Sequence, residues 1–293
     1  MNAKIINGRA ISKGIREQCR KRVEALQAAT NVTPGLAVIL VGDNPASQVY
    51  VRNKVQASAE VGINARLYTF AADVETAKVL ELIDRLNDDP AVHGILVQLP
   101  LPPQFNIYAV LHRISAVKDV DGFHLYNVGG LVVGDTIFPP CTPFGVMKLF
   151  EHEKITIAGQ NVVVVGASNI VGKPMALMML RHEATVCVCH VRTRDLAQFT
   201  ILADILVVAA GVPNLILPQM VKTGAVVIDV GINRTESGRI VGDVAFEGVS
   251  KKASHITPVP GGVGPMTVTM LLANTISAAE SLLTIPEALA GHS

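Results

Sequence analysis

Seven short runs of β-branched and aliphatic residues, most of them followed by a helical pattern, constrain this chain more than any other feature. They are GLAVILVG (35–42), ARLYTF (65–70), HGILVQL (93–99), NVVVVG (161–166), ATVCVCH (184–190), ADILVVAAG (203–211) and AVVIDVG (225–231). Strands covered on both faces read as nearly unbroken apolar runs, so this alternation predicts an α/β fold built on parallel sheet. The first three runs and the last four form two groups. Between them lies a Gly- and Pro-rich stretch, residues 116–145, read here as an inter-domain crossing. With 293 residues the chain exceeds the usual single-domain size, so two domains with a cleft between them are expected. The last apolar segment, TVTMLLANTISAAESLL, follows a Gly/Pro loop and is expected to form a helix that packs back on the first domain.

Charge narrows the function. Lys plus Arg number 25 and Asp plus Glu 24, a net charge of +1, so no field exists to attract nucleic acid or an anionic membrane. A small-molecule partner is expected. Hydrophobic residues make up 49% of the chain, yet no apolar run reaches the roughly 18 residues of a membrane span, and the apolar window 256–273 holds Pro258, Pro260 and Pro265. The surplus is assigned to buried core. The N-terminal MNAKIINGRA lacks a secretory or transit pattern, which reads as cytosolic. Cys19, Cys141, Cys187 and Cys189 form no C-x-x-C and are expected to be buried free thiols. The eight histidines show no zinc-type spacing, so no metal is predicted.

After the first strand, DNPASQVYVRNKVQASAEVG reads as a helix, with Asn44 as its N-cap, Pro45 at its first position and Gly62 beyond its end. Along it Ser47, Tyr50 and Lys54 fall within about 60° of one another. They share one edge, beside an apolar stripe of Val51 and Val55. That edge sits at the carboxyl end of the preceding strand, where open α/β sheets bind ligands. A plain solvated edge is the competing reading.

Two glycine-bearing loops follow. VVVVGASNIVGKPMALMML is strand, turn and helix, the context for a phosphate cradle. It departs from G-x-G-x-x-G, because Ser168 and Val171 stand where glycines would, and Pro174 excludes a P-loop. Gly166, Ser168 and Gly172 still permit a pyrophosphate to approach a helix N-terminus; an ordinary turn is the alternative. The next strand ends CHVRTRD, offering His190, Arg192 and Arg194 where an NAD enzyme would place an acid. Cationic donors there favour a 2'-phosphate, hence NADP over NAD; the alternative is that both arginines simply begin a solvated helix. The second loop, ITPVPGGVGPMT, sets Gly261, Gly262 and Gly264 between Pro260 and Pro265, a firm surface a flat ligand could approach, or simply a linker.

Together ASQVYVRNK, GILVQLPLP, KDVDGFH, PCTPFGV, VVVVGASNIVGKPM, GAVVIDVGIN and ITPVPGGVGPMT resemble, in order, the bifunctional methylenetetrahydrofolate dehydrogenase/cyclohydrolase family. The resemblance implies a folate-binding catalytic domain of residues 1–140 plus 268–293, a Rossmann-like NADP domain of residues 141–267, and a homodimer. It implies Lys54 as the central catalytic residue, supported by Tyr50 and Gln98, with Asp121 holding the pterin. The folate site would comprise Tyr50, Val51, Arg52, Asn53, Lys54, Val97, Gln98, Leu99, Asp121, Pro260, Gly261, Gly262, Val263 and Gly264. The cofactor site would comprise Gly166, Ala167, Ser168, Gly172, His190, Arg192 and Ile232. Two positions depart from the family pattern. Many relatives have Arg where this chain has Ala167, and Ser or Arg where it has Val191.

Oxidising the methylene bridge of a reduced folate sends hydride to nicotinamide and leaves a methenyl cation open to water. Its hydrolysis needs a group that takes a proton from water and gives one to the leaving nitrogen. A free lysine amine, pKa about 10.4, is neutral in about one molecule in 2,500 at pH 7. A lysine base therefore needs a site that favours the neutral amine by about 4 kcal/mol. Gln98 can orient such an amine without adding charge, whereas a carboxylate would oppose the shift. Asp121 carries two oxygens that match the adjacent N–H donors of a 2-amino-4-oxo pterin edge. Two alternatives remain at this point: a non-catalytic NADP- or folate-binding protein, and a short-chain-type dehydrogenase using Tyr50 and Lys54. The latter has its cofactor loop first, the reverse of the order here.

Overall fold

The structure is a computed structural model and describes residues 2–284. In chain order it begins β1 (Lys4–Ile5), α1 (Gly8–Thr30), β2 (Gly35–Val41), α2 (Pro45–Glu60), β3 (Asn64–Phe70), α3 (Thr76–Asp88) and β4 (Gly94–Val97). Next come α4 (Ile107–Arg113), α5 (Leu125–Val133), α6 (Cys141–Glu153), β5 (Asn161–Val165), α7 (Gly172–Arg181), β6 (Thr185–Cys189), α8 (Leu196–Thr200) and β7 (Ile205–Val208). The chain continues with β8 (Val226–Asp229), β9 (Asn233–Arg234), β10 (Ile240–Val241), α9 (Phe246–Val249), β11 (His255–Ile256) and α10 (Val263–Thr284). Each of the seven predicted strands is present at its expected place. Residues 116–145 are more structured than their Gly/Pro content suggests, since they contain α5 and the start of α6.

The chain divides into two units. One holds the described residues up to Lys13, Leu131–Gly134 and Pro140–Thr267; the other holds Gly14–Gly130, Asp135–Pro139 and the described residues from Val268 on. The expected division put the first 13 residues with the N-terminal domain. They group with the larger sheet because β1 pairs with β11, Lys4 opposite His255 and Ile5 opposite Ile256. A two-residue strand joining a partner some 250 positions away carries no local periodicity to read.

In the smaller sheet β2 lies centrally between β3 and β4, all parallel. Every residue of β2 and of β4 is buried. The edge strand β3 mostly alternates between exposed and half-buried positions. Ile39, Val41, Ile95 and Val97 pack with Val79, Ile83 and Leu86 of α3 and with Val110 of α4. Burying each such side chain contributes about 1.5–3 kcal/mol. The chain runs from β2 outward to β3, then returns to the other side of β2 as β4. The carboxyl ends of β2 and β4 therefore flank a topological switch point.

The larger sheet is parallel, in the order β1-β11-β8-β7-β5-β6. Its core joins Val163, Val165, Leu206, Val208, Val227 and Ile256 to Ile216, Val244 and Val249. Here the switch point falls between β5 and β7, because α7 leads outward to β6 before the chain returns. The short β9 and β10 form a separate antiparallel pair. No helix among the described residues is long and apolar enough to cross a membrane.

Candidate active site

Helix α2 starts where the sequence placed it. Asn44 Oδ1 accepts the N–H groups of Ala46 (3.0 Å) and Ser47 (3.1 Å), Pro45 opens the first turn, and Gly62 beyond the end has φ +85°. The solvated-edge alternative fails. Ser47 is buried, Tyr50 is half-buried and Lys54 is only 7% exposed, while Val51 anchors the helix in the core. Arg52 and Asn53, next to them in sequence, face solvent. Burial pushes the Tyr50 phenol up, so its hydroxyl stays a donor at neutral pH.

The Lys54 amine finds its partner on the neighbouring strand. Lys54 Nζ donates to Gln98 Oε1 at 3.0 Å, and Gln98 Nε2 donates to the Leu99 carbonyl at 2.7 Å. Gln98 itself continues the ladder of β4, its N–H bonded to Ile39 O at 2.8 Å. One residue leaves β2 through α2 and the other leaves β4 directly, so the switch point brings together side chains 44 positions apart. The acceptor is a neutral amide, the kind of partner that orients an amine without adding charge.

Asp121, half-buried, lies on a loop fixed by its neighbours in sequence. Lys118 Nζ donates to Leu86 O (3.1 Å) and Asp89 O (2.8 Å), closing the end of α3. Asp119 is buried and its Oδ2 accepts the His124 N–H (2.7 Å) and Asn127 Nδ2 (2.8 Å). Burial pushes the Asp119 carboxyl up, and the Asp121 charge adds to this, while Asn127, His124 and Phe123 pull it down. Asn274, on α10, donates through Nδ2 to Val120 O (2.8 Å) and Pro139 O (3.2 Å). The last helix thus packs on the unit that carries Lys54, as its apolar pattern predicted. Sequence reading missed Asp119, Asn127 and Asn274; the only signal was a pair of acids two apart in an otherwise apolar segment.

In the other unit the turn after β5 is a tight backbone cradle. Gly166 has φ +115°, and a Cβ there would overlap the Ala209 carbonyl across the switch point. A Cβ on Gly172 would overlap the carbonyl oxygen of Gly166. Ser168 Oγ accepts the N–H groups of Val171 (3.2 Å) and Gly172 (3.4 Å), which leaves its own hydroxyl proton free to donate outward at the N-terminus of α7. Ala167 is half-buried beside it. The residues fit a pyrophosphate: helix N–H groups, a hydroxyl donor, and space that a side chain would fill.

After β6 the chain makes a compact turn. His190 N–H donates to Thr193 Oγ1 (2.9 Å), and His190 Nδ1 accepts the Arg192 N–H (3.1 Å). That bond leaves Nε2 to carry the ring proton, pointing a donor away from the turn. Arg192 and Arg194 are exposed, and Val191 is 96% exposed, so an apolar residue stands where an added donor would be most available.

The loop Pro260–Gly264 belongs to this same unit, whereas Lys54, Gln98 and Asp121 belong to the other. Gly261 has φ +110°, the Arg9 N–H donates to its carbonyl at 3.1 Å, and a Cβ on Gly8 would overlap Gly262 O. Helix α10 begins inside this loop, at Val263. The side chain of Ile232, in the loop after β8, is exposed and lies near Gly264.

Comparison with known proteins agrees with this layout. Residues 6–121 match the tetrahydrofolate dehydrogenase/cyclohydrolase catalytic domain, and residues 140–283 match the NAD(P)-binding domain of the same family. The bifunctional protein FolD of Nitrosospira multiformis is 58% identical over 280 residues, covering 96% of this chain and 97% of the relative. That of Paraburkholderia xenovorans is 55% identical over 280 residues, covering 96% and 98%. Among solved structures, the bifunctional FolD dehydrogenase/cyclohydrolase of Campylobacter jejuni superposes with a TM-score of 0.94 at 52% identity, covering 96% of this chain and 99% of that one. The Trypanosoma brucei enzyme, solved with NADP and an inhibitor, gives 0.94 at 39% identity, covering 97% and 99%. These matches set aside the short-chain dehydrogenase alternative. Matched over most of its length by both family domains, the chain belongs to the tetrahydrofolate dehydrogenase/cyclohydrolase family.

Proposed function

We propose that this chain oxidises 5,10-methylenetetrahydrofolate to 5,10-methenyltetrahydrofolate with NADP, and hydrolyses that product to 10-formyltetrahydrofolate. The observation that carries the reading is the buried Lys54 amine, 3.0 Å from the neutral Gln98 amide, in a chain 58% identical to a bifunctional relative. Bound NADP supplies the hydride acceptor. Gly166, Ala167, Ser168 and Gly172 hold its pyrophosphate at the start of α7, His190 and Arg192 meet its 2'-phosphate, and Ile232 offers an apolar contact.

The folate binds along Tyr50, Val51, Arg52, Asn53 and Lys54, against Val97 to Leu99, with Asp121 pairing its pterin edge. Lys54 takes a proton from water as it adds to the methenyl carbon, then returns one to the nitrogen that leaves. Gln98 aims the amine, and the protonated Tyr50 hydroxyl supports it. Residues 14–130 with 135–139 and 268–284 serve as the folate-binding part, and residues 140–267 with 2–13 and 131–134 as the NADP part. We read the enzyme as a cytosolic homodimer without nucleic-acid or membrane partners, in keeping with a net charge of +1.

Mixing the protein with methylenetetrahydrofolate and either nicotinamide cofactor tests the reading. Formation and decay of the methenyl species, faster with NADP than with NAD, is the expected result. Binding of both ligands without turnover would instead support a sensor, and sedimentation decides the dimer.

A further inference from the structure

Two carboxylates that the proposed chemistry does not use are buried at the carboxyl end of the larger sheet. Asp243 is fully buried and Asp229, the last residue of β8, is 3% exposed. Asp243 Oδ2 accepts the N–H groups of Ala210 (2.7 Å) and Gly211 (2.9 Å), and its Oδ1 accepts Asn233 Nδ2 (2.8 Å). Asp229 Oδ1 accepts the N–H groups of Gly231 (3.0 Å) and Asp243 (3.0 Å), and its Oδ2 accepts that of Val244 (3.0 Å). Every one of these donors except the Asn233 amide is backbone, and they come from three separate loops: after β7, after β8, and before α9.

The contacts leave no room for alternatives. A Cβ on Gly231 would overlap the Asp243 carboxylate, and one on Gly242 would overlap that of Asp229. Ile232 sits between the two attachment points, Gly231 held by Asp229 and Asn233 held by Asp243. Ala209, next to the first pair of clamped N–H groups, is the residue against which Gly166 packs. The two acids therefore tie the loops after β7 and β8, on the β7 side of the phosphate turn, into one frame.

We propose that Asp243, braced by Asp229, is a positioning residue for the nucleotide cofactor: it sets the 209–211 and 231–233 loops so that the surface beside Gly166 and the Ile232 side chain meet the bound cofactor in register. This rests on the NADP reading above. It assigns the pair no contact with substrate or cofactor. An isosteric amide weakens the clamp, because it gives up the negative charge that the Ala210 and Gly211 N–H groups bond, and its NH2 can face Asn233 only if that side chain turns over to accept it.

The test uses the full chain. NADPH binding is followed directly by its fluorescence, alongside the two activities; hydrolysis of added methenyltetrahydrofolate requires no nicotinamide. Asp243→Asn is expected to raise the Kd for NADPH and the KM for NADP by about tenfold, the scale of one buried hydrogen bond losing its charge, while the KM for folate and the hydrolysis rate stay within about twofold. Asn233→Ala, which severs one arm at a half-buried residue, should raise the Kd by a smaller factor and decides the matter if Asp243→Asn does not fold. A merely structural role would lower both activities together, and that result overturns the proposal. So does a Kd unchanged within about twofold in both variants. Failure of wild type to bind NADPH would instead sink the cofactor reading, and this inference with it.

Discussion

Lys54 Nζ and Gln98 Oε1 stand 3.0 Å apart, one on the third turn of α2 and the other just past the end of β4. The pair is a cation-capable group facing an uncharged acceptor. Replacing Lys54 by Met keeps the stem's packing and removes the amine. The Lys54→Met variant should therefore bind NADP normally and lose methenyl hydrolysis by at least about a hundredfold, the usual scale for an acid–base group. Retained hydrolysis in a stopped-flow decay assay would refute the role.

Gln98→Glu is a sharper probe, because it leaves the shape almost unchanged while adding a negative charge beside the amine. A carboxylate there favours the ammonium form. Hydrolysis should fall strongly at pH 7 and recover in part as pH is raised, whereas a purely steric role for Gln98 predicts no change in the pH profile.

Asp121 and Asp119 separate binding from support. Asp121→Ala should weaken folate affinity by about tenfold or more, by analogy with losing a bidentate, charge-assisted pairing. Asp119→Ala leaves the His124 N–H without its acceptor and the Asn127 amide with the Ala116 carbonyl alone. It should cost about 1–3 kcal/mol for the orphaned N–H, visible as a lower unfolding midpoint. Calorimetry of both variants with folate checks the contrast.

Cofactor choice should rest on the turn after β6. Arg192 is exposed there and His190 presents its Nε2 side, so Arg192→Ala is expected to raise the KM for NADP several-fold while leaving that for NAD nearly constant. Val191→Ser, which restores a donor at a 96% exposed position, should shift the ratio further toward NADP. Equal effects on both cofactors would show that the turn does not read the 2'-phosphate.

Asp229 makes stability depend on pH. Burial is the largest influence and pushes its carboxyl up to about 7, helped by the neighbouring Asp243 charge and opposed by the N–H groups of Asp243, Val244 and Gly231. With a folded pKa above the ordinary 3.8, the native state holds more protons than the unfolded chain between these values. Its contribution is therefore fully present below about pH 4 and is lost as pH rises through about 7. Melting curves across this range should show a downward slope from this group in wild type that Asp229→Asn removes; a wild-type slope identical to the variant's would contradict the assignment.

Local pattern made the seven main strands and the caps of α2 legible, because alternating apolar runs, Asn44, Pro45 and Gly62 act through neighbours in sequence. Spacing and motif likewise singled out the edge of Tyr50 and Lys54 and the Gly166 turn, and the family resemblance added Gln98 and Asp121. What sequence could not supply was every arrangement made by residues far apart. The pairing of β1 with β11, the burial of Lys54 against a strand 44 positions away, the bond from Asn274 to Val120, and the frame built by Asp229 and Asp243 are decided by strand order. Strand order depends on which edges meet when the sheets assemble, and the free energy of that choice is spread over the whole core instead of being written in any one segment.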